Sequence, residues 1–204
     1  MMSESETIAT QDTPNRTLLE KLQIQSSNVL LLTLIASFLG ATIYLVFEMI
    51  PMPYLAVGLF TFGLVPSLSV IAAVGAIRGP IAGLLTGYVG GLLANIILNG
   101  EIVALTLYGL ALGVMGFIVG FANYDFTKGR SLAKLSVLSA VGLLFTILLT
   151  VVIGLFVVQV ATLVALGFQL LPLLTLGLPT VIVLTPLFAR FWQILESQII
   201  LARQ

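Results

Sequence analysis

The chain has 204 residues, of which 59% are hydrophobic and 8% charged, with a formal net charge of zero and a mean hydropathy of +1.20. A soluble domain carries about 25% charged residues, so this is the composition of an integral membrane protein. Histidine and cysteine are absent, which excludes zinc sites of the usual kind, haem ligation, disulfides and catalysis by either residue, and the balanced charge carries no signature for nucleic acid.

Residues 1–28 are polar, with Glu4, Glu6 and Asp12 ahead of Arg16 and Lys21, and lack the short apolar core that follows a basic start in a secretory signal. They read as a cytoplasmic tail, disordered to residue 14, with "RTLLEKLQIQ" either a helix on the inner membrane surface or an unstructured lead-in. About 20 apolar residues cross a bilayer as a helix. Residues 29–47 predict a first span, ended by the two prolines of "EMIPMP", and residues 54–77 a second. "RGP" is a tight turn, residues 80–98 a third span, 102–122 a fourth, and "NYDFTKGRSLAK" a polar loop. Leu135 to Ala189 contains no charge, which suits two more spans joined over 159–169; that apolar join is expected to fold back as a lid. Residues 196–204 form a short tail.

The expected fold is therefore all-α: a compact bundle of six transmembrane helices over residues 29–195, multi-pass in the plasma membrane, with both termini cytoplasmic. That arrangement places all eight basic residues (Arg16, Lys21, Arg78, Lys128, Arg130, Lys134, Arg190 and Arg203) on the inner side, as the positive-inside rule requires.

Gly79, Gly83, Gly87 and Gly91 recur every fourth residue on one helix face, and the stripe continues as Asn95 and Asn99, with Glu101 just beyond. The fourth span carries Gly109, Gly113, Gly116 and Gly120; the first offers Ala36 and Gly40. Small residues mark close helix contacts in lipid, and bundle packing accounts for most of them. The end of the bundle away from the basic residues collects Tyr44, Glu48, Tyr54, Asn95, Asn99, Glu101, Tyr108, Gln159, Gln169 and Thr175. Polar side chains at membrane depth tend to line a cavity or pathway. Tyr44, Glu48, Asn95, Asn99, Glu101, Tyr108, Gln159 and Gln169 are the candidate substrate-binding residues. No residue at mid-depth could act as a general base, so the chain reads as a binding protein and not an enzyme, with no metal or cofactor.

Together, "LIASFLGATIY", "LVPSLSVIAAVGAIRGPIAGLLTGYVGG" and "LYGLALGVMGFIVGF" resemble the substrate-binding S components of energy-coupling factor transporters over residues 29–195. The resemblance implies a six-helix subunit that captures a vitamin or related micronutrient at its outer face. It also implies partners: a transmembrane coupling subunit and two cytoplasmic ATPase subunits. The family's Ala-x-x-x-Ala docking motif matches Ala36 and Gly40, with glycine in place of the second alanine. No Walker motif occurs in the chain. The outer segments contain Glu48 and Glu101 and no basic residue, which favours a neutral or cationic ligand, riboflavin-like or thiamine-like, over an acidic vitamin. A membrane scaffold of the rod-shape machinery is the alternative; it would bind proteins through its cytoplasmic face and need no outer polar cluster.

Overall fold

The computed structural model describes residues 22, 26–50, 54–57, 60–100 and 105–201, without the side chains of 54–57, 60–62, 99, 105–106, 168–169 and 199–201. Helix α1 (Ser27–Met49) starts at Ser26, whose hydroxyl accepts the Val29 N–H at 3.3 Å. A hairpin follows, β1 (Tyr54–Val57) antiparallel to β2 (Phe60–Gly63), with Val57 opposite Phe60. Then come α2 (Pro66–Arg78), α3 (Pro80–Asn99), α4 (Leu105–Gly120) and α5 (Gly129–Val152). The last continues as a π-type segment, Ile153–Val157. A helical turn at Thr162–Val164 passes through two further π-type segments, Ala165–Leu170 and Leu173–Gly177, into α6 (Leu178–Leu201).

Among the described residues four helices are long and apolar enough to cross a membrane: Ser27–Met49, Pro80–Leu98, Gly129–Val157 and Leu173–Gln198. The side-chain pattern suits lipid. On α1 the buried residues are Thr33, Ser37, Gly40, Ala41 and Tyr44, whereas Leu31, Ile35, Phe38 and Leu39 face outward. Large apolar groups point out and small or weakly polar groups point in, as expected where the solvent is hydrocarbon and close packing joins the helices.

The expected second span, 54–77, divides in two. "YLAV" and "FTFG" are aromatic and branched segments around Gly58-Leu59, a pair with glycine in the position that tight hairpin connections favour, and they form the hairpin. Only Pro66–Arg78 is helical, because Pro66 suits the first helical position, where no N–H is needed. Its 13 residues measure about 20 Å, short of a bilayer's hydrocarbon core. Helix α2 is nonetheless the central element, touching α1, α3, α4 and α6, with every residue from Ser67 to Ala73 buried. The turn into α3 is made at Gly79, whose φ of 96° an L side chain rarely adopts.

The glycine stripes of α3 and α4 face each other in antiparallel register. A Cβ on Gly83 would lie 2.5 Å from the Gly116 carbonyl, one on Gly87 2.5 Å from the Gly113 nitrogen, and one on Gly91 3.0 Å from the Gly109 Cα. Gly120 closes the series against Gly79 and Pro80, and Gly75 of α2 meets the Gly116 carbonyl from a third side. Backbones this close gain dispersion and weak Cα–H···O contacts in place of side-chain interdigitation. Below the bundle's open end the interior is filled by Ile71, Met115, Val119, Leu135, Leu143 and Val181.

Three prolines, Pro172, Pro179 and Pro186, recur every seventh residue through the last helical run. Each removes one donor from the helix and leaves a carbonyl four residues earlier to find another partner. For Pro186 that carbonyl is Ile182, and Ser136 of α5 donates to it at 2.9 Å. Two hydroxyls of the same run bond back along their own helix: Thr175 Oγ1 donates to the Leu171 carbonyl at 2.9 Å and Thr180 Oγ1 to the Leu176 carbonyl at 2.6 Å.

Candidate functional site

The element order places one set of helix ends together: the C-terminal ends of α1, α3 and α5 and the N-terminal ends of α2 and α4. They enclose a cavity of about 630 Å³. Tyr44 and Glu48 come from α1, Val65, Ser67 and Leu68 from the start of α2, and Gly91, Ala94, Asn95 and Leu98 from α3. Tyr108 and Leu112 of α4, Thr150 of α5, and Pro172, Leu173, Leu176 and Gly177 of the π-type run complete the wall. The cavity exists because α2, at the centre, starts late.

Its wall is mostly apolar with a few polar groups, the pattern of small-molecule sites. Glu48 is exposed at the rim and is the only charged lining residue among the described residues. Tyr44 is buried against Gly90, where a Cβ would meet the Tyr44 ring at 2.9 Å, so the glycine makes room for the aromatic. Ser67 is 1% exposed, and its hydroxyl has no hydrogen-bond partner among the described residues. The α2 N-terminus is held in place by Thr180, whose Oγ1 accepts the Val65 N–H at 2.9 Å, while Ser69 Oγ donates to the Thr180 carbonyl at 3.2 Å.

Of the candidate residues, Tyr44, Glu48, Asn95 and Tyr108 meet at this cavity. Glu101 lies outside the described residues, as do the side chains of Asn99, Gln169 and Tyr54. Gln159 is not part of the wall: it is exposed, with a φ of 57°, where the chain turns after α5. Thr175 is half-buried and bonds its own helix. The expected lid also changes. Among the described residues, 159–169 contribute nothing to the cavity wall, which takes instead the following residues from Pro172 on. Ser67 and Thr150 are the polar lining residues missing from the candidates. "VPSLS" carries the signal for Ser67, because proline at a first helical position puts the next residue at a helix start; a span drawn from residue 54 hides it.

Gly40 is corrected as well. It is buried between α2 and α3, where a Cβ would come within 2.8 Å of Val74 and 2.9 Å of Thr86, so it packs the bundle and is not on an outward docking face. Around it, Ser37 Oγ donates to the Thr33 carbonyl at 2.7 Å and Thr86 Oγ1 to the Ser37 carbonyl at 3.4 Å, which fixes α1 to α3. Ala36 is half-buried beside this seam.

The opposite end of the bundle carries Arg78, Lys128, Arg130, Lys134 and Arg190, all the described basic residues. Arg190 donates to the Phe126 carbonyl at 2.9 Å and Lys134 to the Asn123 carbonyl at 3.4 Å, tying the α4–α5 loop to the bundle. In that loop Asp125 gathers the Thr127 hydroxyl and N–H and the Lys128 ammonium, which hold its carboxyl down at about 2. Burial pushes the Tyr124 hydroxyl up from its ordinary range, and it donates to the Val119 carbonyl at 2.8 Å. Family models, curated proteins and solved structures offer no match to the chain.

Proposed function

We propose that this chain is the substrate-binding membrane subunit of an energy-coupling factor type importer, capturing a riboflavin-like or thiamine-like micronutrient in the cavity. In this reading the bundle crosses the plasma membrane six times with both termini cytoplasmic, α2 and α4 completing the set of six. The cavity then opens outward, and a transmembrane coupling subunit with two ATPases supplies the energy. One observation carries the reading: a cavity of about 630 Å³ gathers Tyr44, Glu48, Asn95 and Tyr108 at the end opposite the basic residues. That volume lies within the roughly 300–1,000 Å³ typical of small-molecule sites. The packed core beneath it suits capture better than conduction, since a channel needs a polar route through the bilayer. With Gly40 inside the bundle, a coupling subunit would have to dock on a surface other than an Ala36–Gly40 stripe.

The test is mass spectrometry of small molecules retained through purification in mild detergent, followed by titration with riboflavin, thiamine, biotin and folate. Retention or tight binding of a neutral or cationic compound, weakened about 10-fold or more by Asn95→Leu, is the expected result. A folded chain that retains nothing and binds none of the four, or that prefers an acidic vitamin, refutes the reading.

A further inference from the structure

A hydroxyl that is both buried and unpartnered needs a reason, because leaving such a group without a hydrogen bond costs stability. Among the described residues Ser67 finds no partner, while it is buried and lines a cavity large enough for a ligand. It is the second residue of α2, so its hydroxyl stands at the positive end of the helix dipole, and a group accepting a hydrogen bond there gains from both. Among the described lining residues the charge is of the other sign and lies elsewhere: Glu48, exposed at the rim on α1, with no lysine or arginine among them. Two tyrosines, Tyr44 and Tyr108, share the wall with it, and aromatic faces attract cations.

Resting on the small-molecule reading above, we propose that the ligand is an organic cation bound in one orientation, an uncharged acceptor group on Ser67 Oγ and its positive end toward Glu48. A carboxylate at the rim draws cations to the mouth and repels anions, and field lines concentrate in a cleft with apolar walls. Once inside, the molecule offers Ser67 the acceptor that the described residues do not supply.

The absence of cysteine makes a direct test possible, since Ser67→Cys adds the chain's only thiol in a near-isosteric substitution. The full chain, reconstituted in lipid nanodiscs, is treated with two methanethiosulfonates of similar size, one bearing trimethylammonium and the other sulfonate. Each rate is normalised to that of a small free thiol. The expected result is modification by the cationic reagent about 10-fold faster than by the anionic one, with the preference falling toward unity when Glu48→Gln is added. Equal rates, or a preference for the anion, overturn the assignment of a cation site. A well-folded Ser67→Cys protein that reacts with neither reagent overturns the placement of Ser67 on an open wall. If Ser67→Cys does not fold, Thr150→Cys on the same cavity is read in the same way and decides the charge preference. Because the labelling needs no transport partner, loss of the import reading with the preference intact leaves this proposal standing.

Discussion

At Thr180 one residue ties the start of α2 to the last helical run. Its Oγ1 accepts the Val65 N–H and donates to the Leu176 carbonyl, while its own carbonyl receives Ser69 Oγ. The position of Ser67 in the cavity wall therefore depends on a threonine of another helix, distant in sequence. Asp125 is the equivalent centre at the basic end, and its charge state can be measured. The Thr127 hydroxyl, then Lys128, then the Thr127 N–H lower its carboxyl to about 2. A depressed carboxylate contributes to loop order above its ordinary range and loses that contribution as pH falls through the lowered value. The Asp125 carboxyl followed by NMR in detergent should thus titrate near pH 2 in place of the usual ~4, and the Thr127 amide should stay protected until that point. A midpoint at the ordinary carboxylate value would show that these bonds do not form in the membrane protein.

Among the described elements, the α3–α4 pair makes the most extensive contact and the one most plainly written in the sequence. Glycines spaced by four on both segments announce it, and the antiparallel register follows once a short connection joins them. Gly87→Ala should be costly, because the new methyl would meet the Gly113 backbone at 2.5 Å and backbone cannot move aside as a flexible side chain can. Overpacking of this kind costs about 1–3 kcal/mol or more, to be read as a fall in thermal midpoint in detergent. Gly129→Ala is the matched control: nothing lies within 4 Å of the added carbon at the start of α5, so stability should hold or rise by about 0.4–1 kcal/mol. Equal effects at both positions would remove the ladder's special standing. Other elements were less legible. The hairpin was hidden because "YLAVGLFTFG" is as apolar as a span, and hydropathy does not distinguish a helix from paired strands. The π-type segments around Pro172 and Pro179 were hidden because apolar patterning does not distinguish a widened turn from a regular helix. Gly40 was misread because spacing gives a face but not what the face meets.

For the whole molecule, the separation of basic residues from the cavity implies an orientation in the membrane. Thr127 and Gln159 are exposed at opposite ends of the bundle, and the chain's lack of cysteine leaves the background blank. In intact cells a single cysteine at Gln159 should react with an impermeant maleimide, and one at Thr127 should react only after permeabilisation. The reverse pattern would turn the cavity toward the cytoplasm and end the capture reading. That the chain is a helical membrane protein was legible because composition survives errors in span boundaries, and Tyr44, Glu48, Asn95 and Tyr108 could be grouped from their places along the spans. The cavity itself was not, because it arises from where α2 begins. Bilayer thickness sets the length of helices that touch lipid, through the cost of hydrophobic mismatch. Helix α2, wrapped by α1, α3, α4 and α6, is shielded from that constraint, so its length can change without disturbing the fit of the protein to its membrane. Each turn of about 3.6 residues added ahead of Pro66 would raise the cavity floor by roughly 5 Å, and each turn removed would deepen it by as much. Ligand size in this architecture can therefore be adjusted through one central helix while the lipid-facing surface stays the same.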